Sequence, residues 1–178
     1  MSEINTNVNL NISGKLRLTL LDGSELVDER EVDNLVTDRM TILLARLASG
    51  AGIPGISNFA IGSGVGNGNI NNPQIPSRDM VNLRNEEARI PLTGAIYEDP
   101  EEEGGTTISD GYFTNRLTLT GELTTPTDVQ ITEAGLFGGP GASSANNGYM
   151  CNIVTFPFIT KPSNLSLRFR WQLTFRSI

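Results

Sequence analysis

The sequence predicts a mainly β protein: an antiparallel β-sandwich or jelly-roll-like domain with one amphipathic helix and an extended N-terminal arm. Three observations predict it. The segment "NLSLRFRWQLTF" puts Leu165, Leu167, Phe169, Trp171, Leu173 and Phe175 on one face and Ser166, Arg168, Arg170, Gln172 and Thr174 on the other, the period of two of a half-buried strand. Further segments, "EARIPLTGAIY", "GYFTNRLTLTGEL", "TDVQITEAGLFG" and "YMCNIVTFPFIT", follow at fairly regular spacing, each bounded by Gly, Pro, Asn, Asp or Ser. Helical periodicity is confined to "NLVTDRMTILLARLASG". Seven or eight strands with a single helix suit a sandwich. The length of 178 residues suits one domain.

Taken in order, residues 1–9 are polar and asparagine-rich, with isolated Ile4 and Val8. They read as an arm that becomes ordered on a partner, leaving 10–178 as the single sandwich domain. "KLRLTLLDGSELVDEREV" reads as a hairpin, with Leu16, Leu18 and Leu20 alternating against Arg17 and Thr19 and a turn at Asp22-Gly23. Met40, Leu43, Leu44 and Leu47 then recur at i, i+3, i+4 and i+7, which predicts a helix over about 36–49 with Thr37 or Asn34 as its N-cap and Gly50 as its stop. A short strand is expected around Asn58–Ile61. After it, "GSGVGNGNINNP" forms a loop whose Asn67, Asn69, Asn71 and Asn72 are candidate contacts to a neighbouring subunit.

Composition excludes much chemistry. There is no histidine, which removes Ser-His-Asp and Cys-His relays and His-ligated metals. The net charge of −7 opposes binding to nucleic acid or an anionic membrane. No segment is apolar enough for a transmembrane helix, and the N-terminus lacks the pattern of a signal peptide, so synthesis and use in soluble form are expected. The lone Cys151 cannot form an internal disulfide, fits a reducing compartment, and sits among apolar neighbours as a small core residue.

The candidate sites are few. Glycines at 62, 64, 66 and 68 follow a strand, but G-x-G-x-x-G needs glycine at 67 or 69, and both are asparagine. No Lys-Ser/Thr pair follows either, so this is not a phosphate loop, and no motif asks for a cofactor. The run "EDPEEEGG" reads as a solvated loop tip rather than a Ca²⁺ loop. Glu133 shares a face with Ile131 on simple alternation, and a core-facing carboxylate must be paired, which nominates an ion pair with Arg89, or with Arg116. Arg168 and Arg170 project opposite the aromatic face of their strand, an arrangement suited to acidic groups on a neighbouring chain or sheet.

Together, "NLVTDRMTILLARLASG", "ISNFAIGSGVG", "NLRNEEARIPL", "ITEAGLFG" and "TFPFITKPSNLSLRFRWQLTF" resemble a pattern in small β-rich structural proteins of tailed bacteriophages. That pattern is an asparagine-led helix, a strand ending in Ile-Gly-x-Gly, a Leu-x-x-Glu-x-x-Arg segment, a Glu-x-Gly-Leu-Phe strand and a terminal strand. The match spans roughly residues 34–176. It implies a non-enzymatic virion protein, foremost a capsid cement or decoration protein that stabilises the shell by bridging neighbouring major capsid subunits. Tail, collar or baseplate components are the alternative. The implied partners are further copies of the chain, as a homotrimer, and the phage major capsid protein, with no nucleic acid and no membrane. The implied location is the outer capsid surface, after synthesis in the host cytoplasm. From another class, a carbohydrate-binding module also fits a sandwich with acidic loops, although Trp171 is expected to face inward.

Overall fold

The computed structural model describes residues 10–64, 73–98 and 115–177. The described residues form a sandwich of two antiparallel five-stranded sheets, with strand order β2-β1-β10-β7-β6 in the front sheet and β3-β9-β8-β4-β5 in the back sheet. The front strands are β1 (Leu10–Asp22), β2 (Glu25–Asp33), β6 (Gly94–Glu98), β7 (Arg116–Leu123) and β10 (Ser166–Ser177). The back strands are β3 (Leu35–Val36), β4 (Ile56–Gly62), β5 (Glu86–Pro91), β8 (Val129–Gly138) and β9 (Tyr149–Lys161), and the helix α1 spans Asp38–Ala48.

The predicted hairpin is β1–β2. Gly23 holds φ at +58° and is followed by Ser24 in a two-residue turn, the first-position glycine that matches the twist of a hairpin. Alternation in β10 also holds: Leu167, Phe169 and Trp171 are each 1% exposed and Leu173 is fully buried. They meet Leu16 and Leu18 of β1 and the inner residues of the back sheet in one core. Full burial of each such side chain contributes on the order of 1.5–3 kcal/mol. Across the sandwich, Phe59 of β4 packs against Phe169 in a tilted arrangement, with ring centroids 4.1 Å apart. Gly121 makes that possible, because a Cβ there would lie 2.1 Å from the Phe59 ring.

Two elements depart from the sequence reading. "EARIPLTGAIY" is not one strand but two, β5 in the back sheet and β6 in the front. The chain changes sheets between Leu92, whose N–H reaches Ser57, and Thr93, whose N–H reaches Thr120; Pro91 cannot continue the ladder as a donor. The helix begins two residues later than predicted, because Leu35–Val36 pair with β9. Thr37 occupies the N-cap position, but its hydroxyl donates to the Met150 carbonyl and its N–H to Cys151, so tertiary bonds to β9 fix the helix start in place of a side-chain cap. Met40 and Leu43 are buried in the main core, while Leu47 is left partly exposed.

Candidate functional site

The back sheet has a buried outer face. Ala60, Leu83, Phe137, Ala142, Met150 and Ile153 form a second, smaller apolar cluster there, roofed by the segment before β5 and by the loop after β8. The polar framework of this face comes from two breaks in strand alternation. In β8 the register shifts between Ile131 and Glu133, so that Ile131 and Ala134 both face the main core and Glu133 turns to the outer side. In β5, Ile61 pairs with Ala88 while Gly62 pairs with Glu86, leaving Glu87 as the extra residue; this bulge brings Glu86 and Arg89 onto one face.

Glu133 is 1% exposed, and its carboxylate is taken up by backbone. Its Oε1 accepts the N–H of Gly64 at 3.1 Å and of Asn85 at 2.9 Å, and its Oε2 accepts the N–H of Arg84 at 3.2 Å. The neighbouring Thr132 hydroxyl donates to the Gly64 carbonyl at 2.8 Å. Charge-assisted bonds of this kind are about twice as strong as neutral ones. The glycines of "IGSG" exist to admit this carboxylate: a Cβ on Gly62 would lie 2.5 Å from Glu133 Oε1, and one on Gly64 2.4 Å from it. One side chain thus ties the end of β4 to the approach to β5, closing the base of the long connection between them.

The predicted ion pair between Glu133 and Arg89 does not form. Arg89 is held instead by Glu86, with Nε–Oε1 at 2.8 Å and Nη2–Oε2 at 2.7 Å, in a bidentate pair whose side chains are 4% and 1% exposed. The reason is the bulge, which puts a nearer carboxylate on the same face. The guanidinium also lies 3.5 Å from the centroid of the Phe137 ring and donates from Nη1 to the carbonyls of Ala142 (2.6 Å) and Asn147 (3.2 Å). Glu86 Oε2 accepts the N–H of Asn146 at 3.1 Å. Arg89 and Glu86 therefore shape the loop after β8, where Gly139, Gly141, Asn146 and Gly148 all have positive φ.

The remaining candidates lie elsewhere. Arg168 and Arg170 sit on the outer face of the front sheet, where Arg168 Nη2 approaches Glu122 Oε2 at 3.5 Å with both groups solvated. Beside them, Glu31 accepts Lys15 at 2.8 Å and Arg17 at 3.1 Å. The Lys15 hydrogen bond holds the Glu31 carboxyl below the usual carboxylate range, and the same bond raises Lys15. Ile4, Val8, Asn67, Asn69, Asn71 and Asn72, and the acidic residues 99–103, lie outside the described residues. Cys151 is fully buried, as expected, and burial pushes its thiol up to about 12, so it is an inert core residue. Ser63, Glu87, Asp128 and Gln130 line an open hollow of about 440 Å³, and among the described residues no group of three or more Asp, Glu or Cys side chains is placed to hold a metal ion.

Sequence reasoning missed Glu86 and the backbone role of Glu133. Their signal was available in the spacing of Glu86 and Arg89, and in glycines placed two apart at the end of β4. No family model matches this chain, and no curated protein or solved structure matches it.

Proposed function

We propose that the chain is a non-enzymatic structural protein of a tailed-phage virion and, within that class, a capsid cement protein that bridges neighbouring major capsid subunits from the outer surface as a homotrimer. One observation carries the reading. The Ile-Gly-x-Gly, Leu-x-x-Glu-x-x-Arg and Glu-x-Gly-Leu-Phe segments, far apart in sequence, converge on one buried framework, and the polar groups of that framework are engaged within the chain. Glu133 spends its oxygens on the N–H groups of Gly64, Arg84 and Asn85, and Arg89 its guanidinium on Glu86 and two carbonyls. Residues arranged this way hold the end of β4 against the approach to β5 and shape the loop after β8, which suits a rigid part of an assembly. The solvated, charged outer face of the front sheet, with Arg168 and Arg170, supplies association surface.

Cryo-microscopy of the virion tests the proposal. The expected result is density for this sandwich on the outside of the shell, at junctions between capsid subunits. Density for it in the tail, collar or baseplate instead would overturn the cement role, and its absence from the particle would overturn the virion reading.

A further inference from the structure

We infer that the free edge of β2 is a docking site for an extended, basic segment of a partner protein, which adds to the five-stranded front sheet as a sixth strand next to β2. The hydrogen-bond phase of the β1–β2 ladder defines the edge. Asn34 N–H bonds to Gly14 carbonyl at 3.1 Å, which continues the register Lys15↔Asp33, Arg17↔Glu31 and Thr19↔Glu29. Antiparallel pairs alternate between bonded and non-bonded, so Val32 and Arg30 turn their main-chain groups toward β1, while Glu29, Glu31 and Asp33 turn theirs away from it. Among the described residues no strand pairs with that side. Edges of this length are normally covered or blunted, because their unpaired N–H and C=O groups recruit another strand.

Side chains state which strand. Glu29, Glu31 and Asp33 project onto the outer face, where β1 answers them from the other side with Lys15 and Arg17. On an added strand, residues directly opposite these acids and on their face are stabilising when basic and destabilising when acidic. The alternate residues of the added strand turn inward, beside Val32 and Arg30. Arg30 Nη1 donates to the Pro157 carbonyl at 3.1 Å, which brings this edge to the part of β9 where its register with β8 is broken and Phe158 is 37% exposed. The fitting pattern is therefore basic, apolar, basic, apolar, the pattern of β1 itself. Pairing of main chain with pockets for alternate side chains is a general mode of peptide recognition. A second copy of this chain fits poorly, since β2 against β2 opposes acid to acid and the whole molecule carries −7. A capsid-subunit arm of this pattern suits the virion reading, but the edge geometry stands without it.

The test uses the full chain and a fluorescently labelled synthetic peptide with the sequence of Lys15–Leu20. Anisotropy should show binding at low salt that weakens as salt rises, and the same peptide with both basic residues replaced by glutamate should bind at least about tenfold more weakly. Amide hydrogen exchange should slow at Glu29, Glu31 and Asp33 when the peptide is bound. Glu31→Pro removes an outward N–H and the carboxylate that Lys15 and Arg17 reach, without touching a main-chain bond to β1, and should weaken binding roughly tenfold, while Glu29→Lys, at an exposed position, should do so through charge. Equal binding of the glutamate peptide, indifference to both variants, or protection of another strand in place of β2 would overturn the inference. Protection of these same amides by self-association of the chain without peptide would overturn it too, since the occupant would then be a second copy.

Discussion

The two sheets carry the same kinds of charged residue on their outer faces and use them in opposite ways. On the front sheet, Lys15 and Glu31 meet at 2.8 Å with side chains 55% and 41% exposed; on the back sheet, Arg89 and Glu86 meet at 2.7 Å with side chains 4% and 1% exposed. The contact distances are nearly equal. What differs is water. In solvent, the attraction is screened and two long side chains must be immobilised, so an exposed pair adds little. Under a roof of apolar side chains, neither partner can be removed without stranding the other, so the pair becomes a condition of the local fold. The charges of the front face are free to change. The back face is committed to holding its loops.

The largest effect should come from breaking the buried pair. Arg89→Ala leaves Glu86 charged and buried, deprives the Ala142 and Asn147 carbonyls of their donor and removes the group stacked on Phe137. It should cost on the order of 3–5 kcal/mol in urea unfolding. Lys15→Ala, at a contact of nearly the same length, should shift the unfolding midpoint only slightly. Replacing both buried partners, as Glu86→Leu with Arg89→Met, should cost less than Arg89→Ala alone. If Arg89→Ala were as mild as Lys15→Ala, the distinction between the faces would collapse.

A smaller effect tests the carboxylate that has no need of Arg89. Glu133→Gln keeps the shape but points an N–H₂ group at one of the backbone donors it should accept, at a cost of about 1–3 kcal/mol. Gly64→Ala forces a methyl group against the same oxygen and should cost a similar ~1–3 kcal/mol by overpacking. Because the two changes share one contact, Gly64→Ala combined with Glu133→Ala should cost less than the sum of the single changes. Strict additivity in that cycle would show that the glycine and the carboxylate are not matched to each other.

Sequence periodicity was readable wherever a strand keeps strict alternation. The inner face of β10, the β1–β2 hairpin and the burial of Trp171 follow from it, while the burial of Cys151 follows from its apolar neighbours. It misled at the places where the period breaks. Simple alternation put Glu133 beside Ile131, yet a register shift separates their faces, and a bulge at Glu87 turned Arg89 toward Glu86. The sheet change at Leu92–Thr93 was equally hidden, since an apolar run such as "RIPLTGAI" reads the same whether it stays in one sheet or crosses. Of the site, the motif segments were visible in the sequence, but not their convergence. That convergence is set by long-range pairing of β4 with β5 and β8, which no local pattern encodes.

The smallest effect, and the finest division between exposed and buried charge, lies in the two lysines. Lys15 is solvated on the front sheet and its pKa is raised above 10.5, first by its hydrogen bond to Glu31. Lys161 ends β9 fully buried, donating to the carbonyls of Thr125 at 2.7 Å and Pro162 at 3.1 Å, and burial lowers its pKa below 10.5 against the weaker pull of Asp128. Stability rises with pH wherever the unfolded chain holds more protons than the folded one. For Lys161 that window runs from its lowered pKa up to 10.5, so stability relative to Lys161→Met should rise through it, as the folded protein sheds the buried charge. For Lys15 the folded state holds the extra proton between 10.5 and its raised pKa, so stability relative to Lys15→Met should be full below that window and fall across it. Urea unfolding of the three proteins at a series of alkaline pH values gives both difference curves, in which all other titrations cancel. Curves of opposite slope are expected. Two curves bending the same way would mean that Lys161 reaches solvent in the folded protein, and that burial does not separate the two lysines.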